Sequence, residues 1–309
     1  MKTVLVGAVG STEVALNTMI TTGNAPEALV TLPLELAHRH SDFVDLRQIA
    51  SSAGVPVVEV GNVNSEASLA ELRAIAPDVI YVIGWSQLCG LDFLAIPTVG
   101  AVGFHPSNLP TNRGRAVIPW TILQGIRQTG STLFWLGAGM DDGDVIAQET
   151  FVVAEDETAQ SVMGKHASAL ADMLADTLMH TTAESIPARQ QNHASASYCA
   201  KRTADDGAID WREGAKGVWT LIRAAGRPYP GAFTYLGGNR VTIWRASYLG
   251  PRPIWAQPGQ VVESSEAGLV VQCGDCEHIL LEEIETTPQR DARIVVGARF
   301  RASSDGGSA

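Results

Sequence analysis

Over the first two-thirds of the chain, short apolar runs rich in Val, Ile and Leu alternate with longer stretches whose apolar residues recur every three or four positions. Residues 3–6 predict a strand, and Ser11 is placed to cap a helix that carries Val14, Leu16 and Met19. Residues 28–31 predict a second strand, 46–53 a helix, 56–59 a strand, and 67–75 a helix with its apolar residues on one face. The run 78–83 is the most strand-like in the chain, and 99–104 follows as the strand that delivers His105. Such alternation implies right-handed crossovers and a doubly wound, mainly parallel sheet covered on both faces. Ligands of such sheets bind beyond the carboxyl ends of the strands. The residues from Gly84 to Gln87 and His105 both follow strands, so both belong at that edge.

From residue 157 to about 180 the pattern turns to one long helix, with Met163, Ala167, Leu170, Leu174 and Leu178 on a stripe and His166 beside it as a core or boundary residue. Residues 183–203 lose periodicity and gain Gln, Asn, Ser and His, the composition of a linker. Beyond it, short strands at 232–236, 241–244, 260–262, 269–272 and 278–281 are separated by Gly-rich turns, which predicts a smaller, open OB-like β-barrel. The expected organisation is a catalytic domain over 1–182, the linker, a barrel domain over 204–301 and a disordered tail over 302–309.

Composition narrows the functions. A 309-residue chain that is 45% apolar can bury two cores. Its net charge of −11 repels polyanions, and its four lysines (Lys2, Lys165, Lys201, Lys216) leave little with which to neutralise phosphates, which excludes DNA as an expected partner and disfavours tRNA. No run of 18 apolar residues and no leader pattern is present, so the expectation is a cytoplasmic protein without a membrane span. Four unevenly placed cysteines do not make a disulfide framework, and Cys273-Gly-Asp-Cys276 reads as a hairpin turn and not as a metal site. Gly7-Ala-Val-Gly10 lacks the third glycine and the acidic residue of a dinucleotide loop and reads as a tight strand-to-helix turn.

The chemistry concentrates between residues 103 and 144. A histidine closing a buried strand and an aspartate 36 residues later can form an acid/base pair, the carboxylate orienting the imidazole as it acts on a developing negative charge. The spacing leaves open whether His105 and Asp141 meet, because Asp-Gly is also an ordinary turn. Arg113 and Arg115 can grip a phosphate or carboxylate in bidentate fashion, or be solvated loop residues. Trp85, Trp120 and Trp135 read as core residues.

The run His105-Pro-Ser-Asn-Leu-Pro-Thr-Asn-Arg-Gly-Arg115, the segment 129–132 and Gly139-Met-Asp-Asp-Gly-Asp144 resemble the signature of folate-dependent formyltransferases, a superfamily that includes methionyl-tRNA formyltransferase and the sugar N-formyltransferases. The resemblance continues through residues 206–211, 223–225 and 228–233, and the segments 40–46 and 84–87 are most like the branch that formylates amino sugars. It implies transfer of a formyl group from N10-formyltetrahydrofolate to a primary amine, of an amino sugar or nucleotide-linked amino sugar, by His105 and Asp141. A small amino acid such as hydroxyornithine, or methionyl-tRNA, stays open as acceptor, although residues 33–45 offer only His38, Arg39 and His40 as basic groups, and a homodimer stays open too. The donor would lie against Trp85, Gln87, Leu88, Cys89, Gly139, Asp142 and Asp144, and the acceptor against Ser107, Asn108, Arg113 and Arg115.

The family places an asparagine two residues before the histidine, where this chain has Gly103. That asparagine donates to the formyl oxygen, and losing one such donor costs roughly 10² to 10³ in rate. A backbone NH made accessible by Gly103 could replace it, as could Asn108, Asn112 or a water; the remaining alternative is a folate-binding homologue without activity.

Overall fold

The apolar alternation folds into a seven-stranded sheet. The computed structural model describes residues 1–39, 42–180, 185–288 and 294–303, and these divide into two compact units. The first comprises Met1–Val117, Arg127–Val153 and Met163–Ala200; the second comprises Ile118–Ile126, Ala154–Val162 and the residues from Lys201 onward.

In chain order the first two-thirds run β1 (Thr3–Val6), α1 (Gly10–Thr21), β2 (Ala28–Thr31), α2 (Arg47–Ser52), β3 (Val57–Glu59), α3 (Glu66–Ile75), β4 (Val79–Val82), α4 (Leu91–Leu94), β5 (Gly100–His105), β6 (Arg113–Gly114), α5 (Val117–Leu123), β7 (Gln128–Trp135), β8 (Val145–Val152), α6 (Ala159–Leu178) and β9 (Tyr198–Cys199). The sheet order is β3-β2-β1-β4-β5-β7-β8. Its first five strands are parallel, and β7 and β8 return antiparallel at one edge. Strand order reverses between β1 and β4, the topological switch point at which such sheets bind ligands.

Every residue of β1, β2 and β4 is buried, as strands covered on both faces require. The period of two sorts their side chains into two cores: Leu5, Leu29 and Tyr81 pack with Leu16, Leu170 and Leu174, while Val4, Val6 and Ile80 pack with Leu69, Leu72 and Phe93. Burying one such side chain contributes about 1.5–3 kcal/mol. Helix α1 begins at Gly10, and Ser11 does not cap it; the Thr12 hydroxyl accepts from Val9 N (3.1 Å) and donates to Ile83 O (2.7 Å), joining the ends of β1 and β4. Gly7 permits this closure, since a Cβ there would sit 2.0 Å from Ile83 O.

The segment expected to be a linker is the main departure. Residues 181–184 lie outside the described residues, but 185–200 are built into the first unit. Val145 and Arg189 exchange two backbone hydrogen bonds (2.8 and 2.9 Å), and β9 pairs with β6. This segment binds by polar groups meeting backbone, so no apolar periodicity marks it.

In the second unit, α7 (Ala215–Ala225) precedes β10 (Ala232–Leu236), β11 (Asn239–Pro251), β12 (Val261–Ser265), β13 (Gly268–Gln272) and β14 (Glu277–Thr287), an antiparallel sheet of order β10-β11-β14-β13-β12. Residues 297–301 join its edges: Tyr235 and Arg301 exchange two hydrogen bonds of 2.9 Å, and Val261 N donates to Ala298 O at 2.9 Å. Trp211 stacks on Phe300 with ring centroids 5.6 Å apart inside this closed sheet. Cys273 and Cys276 form the β13–β14 turn, where burial pushes the Cys273 thiol up to about 12, and no metal-binding group of three residues occurs among the described residues. No helix among the described residues is long and apolar enough to cross a membrane. His40 and residues 304–309 of the expected tail lie outside the described residues.

Gly7→Ala is expected to destabilise the protein by roughly 3 kcal/mol in urea unfolding, because the clash is with a backbone carbonyl that cannot rotate away. Wild-type stability in the variant would mean that the β1 and β4 ends can separate without cost.

Candidate active site

His105 ends β5 opposite Thr132 of β7 and is 4% exposed. The chain then folds back on itself. Ser107 N donates to His105 O (2.9 Å), Ser107 Oγ donates to Thr111 O (2.7 Å), and Thr132 Oγ1 donates to Ser107 O (2.7 Å) while accepting from Leu109 N (3.3 Å). This tight return brings the Asn112 carbonyl to 2.7 Å from His105 Nε2. A neutral ring that donates to this carbonyl carries its proton on Nε2, which leaves the Nδ1 lone pair facing the other way.

Asp141 occupies that other side. Its Oδ2 lies 3.6 Å from His105 Nδ1 and accepts from Gly114 N at 2.8 Å. The contact to the imidazole is an ion-pair distance and not yet a hydrogen bond; catalytic contacts commonly tighten when substrate binds. Asn112 (φ +56°) and Asp141 (φ +50°) both sit in the left-handed region, a backbone conformation that persists only where the surroundings hold it. Both residues touch His105.

The space beside Gly103, two residues before the histidine, is filled. A Cβ on Gly103 would lie 2.7 Å from Leu136 Cδ2 and 2.9 Å from the Phe134 ring, and Phe134 is 1% exposed. The space of the missing side chain is thus an aromatic packing contact. Of the two asparagines expected as substitutes, Asn108 turns its buried Oδ1 toward Gly130, where a Cβ would come within 2.1 Å of it. Asn112 contacts the imidazole through its main-chain carbonyl, while its side-chain Oδ1 accepts from Ser197 Oγ at 3.3 Å.

Among the residues expected on the donor side, Gln87 and Leu88 are tied down from below. Gln87 Oε1 accepts from Val63 N (3.1 Å) and its Nε2 donates to Gly61 O (2.8 Å), while Asn64 bridges Leu88 O (2.8 Å) and Gly90 N (2.7 Å). The loop after β4 is therefore stapled to the segment after β3, with the Leu88 side chain 75% exposed. Trp85 packs partly into the core with its buried Nε1 lacking a partner, and burial pushes the Cys89 thiol up to about 12, which removes it as a nucleophile. The Asp142 carboxylate lies against Gly139, and Asp144 O accepts from Trp135 N at 2.9 Å, shaping the loop that carries Asp141.

On the acceptor side, Ser107 is 1% exposed and belongs to the turn. Arg113 is 2% exposed, and its guanidinium donates to Gln191 Oε1 (2.7 Å), His193 Nδ1 (3.0 Å) and Tyr198 Oη (3.2 Å). Its partners carry no negative charge, and the group faces inward. Arg115 is exposed, which leaves it as the arginine available to an anionic acceptor. Gln191, inside the expected linker, donates to Asp141 O and Gly143 O and was marked by no motif.

His166 lies behind the sheet, 3% exposed, with Nδ1 2.8 Å from Ser131 Oγ and its ring edge-on to Phe151. Burial, with the charge of His105 adding to it, pulls its pKa down to about 3. It is a neutral core histidine.

Comparison with known proteins gives two family-model matches, "Formyl transferase" over residues 37–178 and "Formyl transferase, C-terminal domain" over residues 201–294. Among solved structures, HypX from Aquifex aeolicus in complex with tetrahydrofolic acid matches with a TM-score of 0.66 at 17% identity, covering 94% of this chain and 44% of HypX, so this chain spans less than half of that protein's length. An N-formyltransferase from Helicobacter canadensis bound to folinic acid and dTDP-3-aminofucose matches with a TM-score of 0.64 at 15% identity, covering 91% and 99% of the two chains. The methionyl-tRNA formyltransferase of Clostridium thermocellum matches with a TM-score of 0.60 at 17% identity over 80% and 93%. At these identities the structural likeness establishes the fold.

Two outcomes follow from the packing. Gly103→Asn is expected to destabilise the protein by about 1–3 kcal/mol through overpacking against Phe134, and in a Phe134→Ala background, itself destabilised by loss of a buried ring, the same substitution should cost less in thermal unfolding; an equal cost in both backgrounds would mean that the ring is not what fills the position. For His166 the unfolded imidazole binds its proton near pH 6.5 and the folded one only near pH 3, so stability is complete above pH 6.5 and falls as pH drops through that window. Urea unfolding of His166→Asn between pH 7 and 4 should show a slope smaller by up to about 1.4 kcal/mol per pH unit; an unchanged slope would assign the acid sensitivity elsewhere.

Proposed function

The chain belongs to the formyl transferase family, and on that footing we propose that it transfers a formyl group from N10-formyltetrahydrofolate to the primary amine of an amino sugar, free or nucleotide-linked. The observation that carries this reading is the convergence of His105 and Asp141 beyond the carboxyl end of β5, next to the stapled loop after β4. The neutral amine attacks the formyl carbon and its carbonyl becomes an oxyanion. His105 Nδ1 takes the proton lost by the amine nitrogen, Asp141 stabilises the imidazolium so formed, and the proton passes to N10 as the C–N10 bond breaks. In this reading the side-chain amide of Asn112, whose Oδ1 accepts from Ser197 Oγ, supplies the oxyanion donor that Gly103 lacks.

Trp85, the backbone from Gln87 to Cys89, Gly139, Asp142 and Asp144 hold the donor in this reading; the partnerless indole Nε1 of Trp85 is a donor suited to a polar heterocycle. Arg115 takes an anionic part of the acceptor. An amino sugar is supported by the two-unit likeness to the Helicobacter enzyme over nearly its full length, and a tRNA acceptor is opposed by the net charge of −11. A second reading, folate binding without transfer, is favoured by one observation, the Phe134 and Leu136 side chains that fill the space beside Gly103.

Purified protein with N10-formyltetrahydrofolate and a panel of amino sugars, hydroxyornithine and methionyl-tRNA is expected to release tetrahydrofolate with an amino sugar. His105→Ala and Asp141→Ala should each lower turnover about 100-fold or more, and Asn112→Ala by a similar factor. Folate binding without release selects the second reading; release with another acceptor reassigns the substrate. Full turnover in His105→Ala moves the chemistry to other residues.

A further inference from the structure

We propose that Gln191, locked in place by the buried Arg113, is the positioning residue that holds the Asp141 carboxylate against His105. The geometric part stands alone; only its kinetic test rests on the formyl-transfer reading.

Asp141 lies in the left-handed region (φ +50°), so its loop keeps this shape only under outside constraint. Gln191 supplies that constraint with both amide hydrogens, one to Asp141 O (2.9 Å) and one to Gly143 O (2.6 Å). It is 3% exposed, and its Oε1 accepts from Arg113 Nη2 at 2.7 Å. That contact fixes which end of the amide is which: turned over, the NH2 would face the guanidinium and the oxygen would face two carbonyl oxygens. Gly143 packs closely on the end of β7, where a Cβ would lie 1.8 Å from Trp135 O.

The same two-residue strand secures the carboxylate from its other end. Arg113 grips the Gln191 side chain, and its neighbour Gly114 donates N–H to Asp141 Oδ2 at 2.8 Å. The main chain and the side chain of Asp141 are thus both held from β6. Arg113 itself is fixed by His193 and Tyr198 of the segment that follows Gln191. The links from Arg113 through Gln191 to Asp141 are each a hydrogen bond, and such a support is rigid only while every link is made.

Gln191→Glu separates positioning from anchoring. It retains the oxygen that meets Arg113 and sets a second oxygen against the carbonyls of Asp141 and Gly143. Since a misplacement near 1 Å costs roughly 100-fold in rate, kcat is expected to fall by about 10- to 100-fold while KM for N10-formyltetrahydrofolate stays within about threefold. Amide hydrogen exchange at residues 141–144 should accelerate about tenfold or more, and the 15N resonances of the His105 ring should shift, in Gln191→Glu and also in Gln191→Ala. Unchanged exchange and ring resonances in a folded variant overturn the proposal, as does a wild-type kcat. If the wild-type protein turns over no donor, the formyl-transfer reading fails, while exchange and the ring resonances still decide the clamp. Should Gln191→Glu not fold, Gln191→Ala supplies both readouts.

Discussion

The buried contact between His105 Nε2 and the Asn112 carbonyl, 2.7 Å long, is the constraint around which the candidate site is arranged. It turns the chain back immediately after β5, so that the residues which follow the histidine in sequence also face it in space. It selects the tautomer with Nδ1 free, and Nδ1 faces the only side on which Asp141 arrives. The turn that makes it possible is braced by hydroxyls, with Ser107 and Thr132 each donating to a carbonyl of the turn, Thr111 O and Ser107 O. One imidazole is thus oriented from two directions by groups whose own positions depend on hydrogen bonds to the same sheet edge.

The site's supports are unequal in kind. On the loop after β4, Gln87 and Asn64 fix the backbone while Leu88 stays exposed, which suits a surface that must meet a ligand. Around Asp141 the supports are buried and amide-based, which suits a group that must not move. Gly103 stands between these two designs. There the Phe134 ring lies against a glycine that has no side chain to offer, and the electrostatic task falls in our reading to Asn112.

Much of this was legible in the residues. The buried strands β1, β2 and β4 announced themselves as continuous apolar runs, and the hairpin at Cys273 to Cys276 was plain from Gly-Asp between strand patterns. Type and spacing marked His105 and Asp141 as a possible pair and left open whether they meet, and His166 was read as a core or boundary histidine because it lay beside an apolar stripe. The segment holding Gln191 was not legible. It reads as a polar linker, and its structure rests on side-chain amides and hydroxyls meeting backbone groups that are distant in sequence, a type of contact with no period. Arg113 was misleading for the same reason, since an arginine in a loop motif carries no mark of whether its guanidinium faces water or Gln191.

By itself the sequence determined the alternation of elements, the two-sided parallel sheet and the short antiparallel strands of the second unit, and it named His105 and Asp141 as candidates without deciding whether they meet, because burial imposes periodicity and chemistry demands particular side chains. Only the tertiary structure decided which groups hold that pair. It showed that Asn112 touches the imidazole, that Phe134 occupies the place beside Gly103, and that an apparent linker clamps Asp141. Hydrogen-bond partners are chosen by distance and angle after the chain has folded, and residues 50 positions apart acquire both only when the sheet has set where each of them stands.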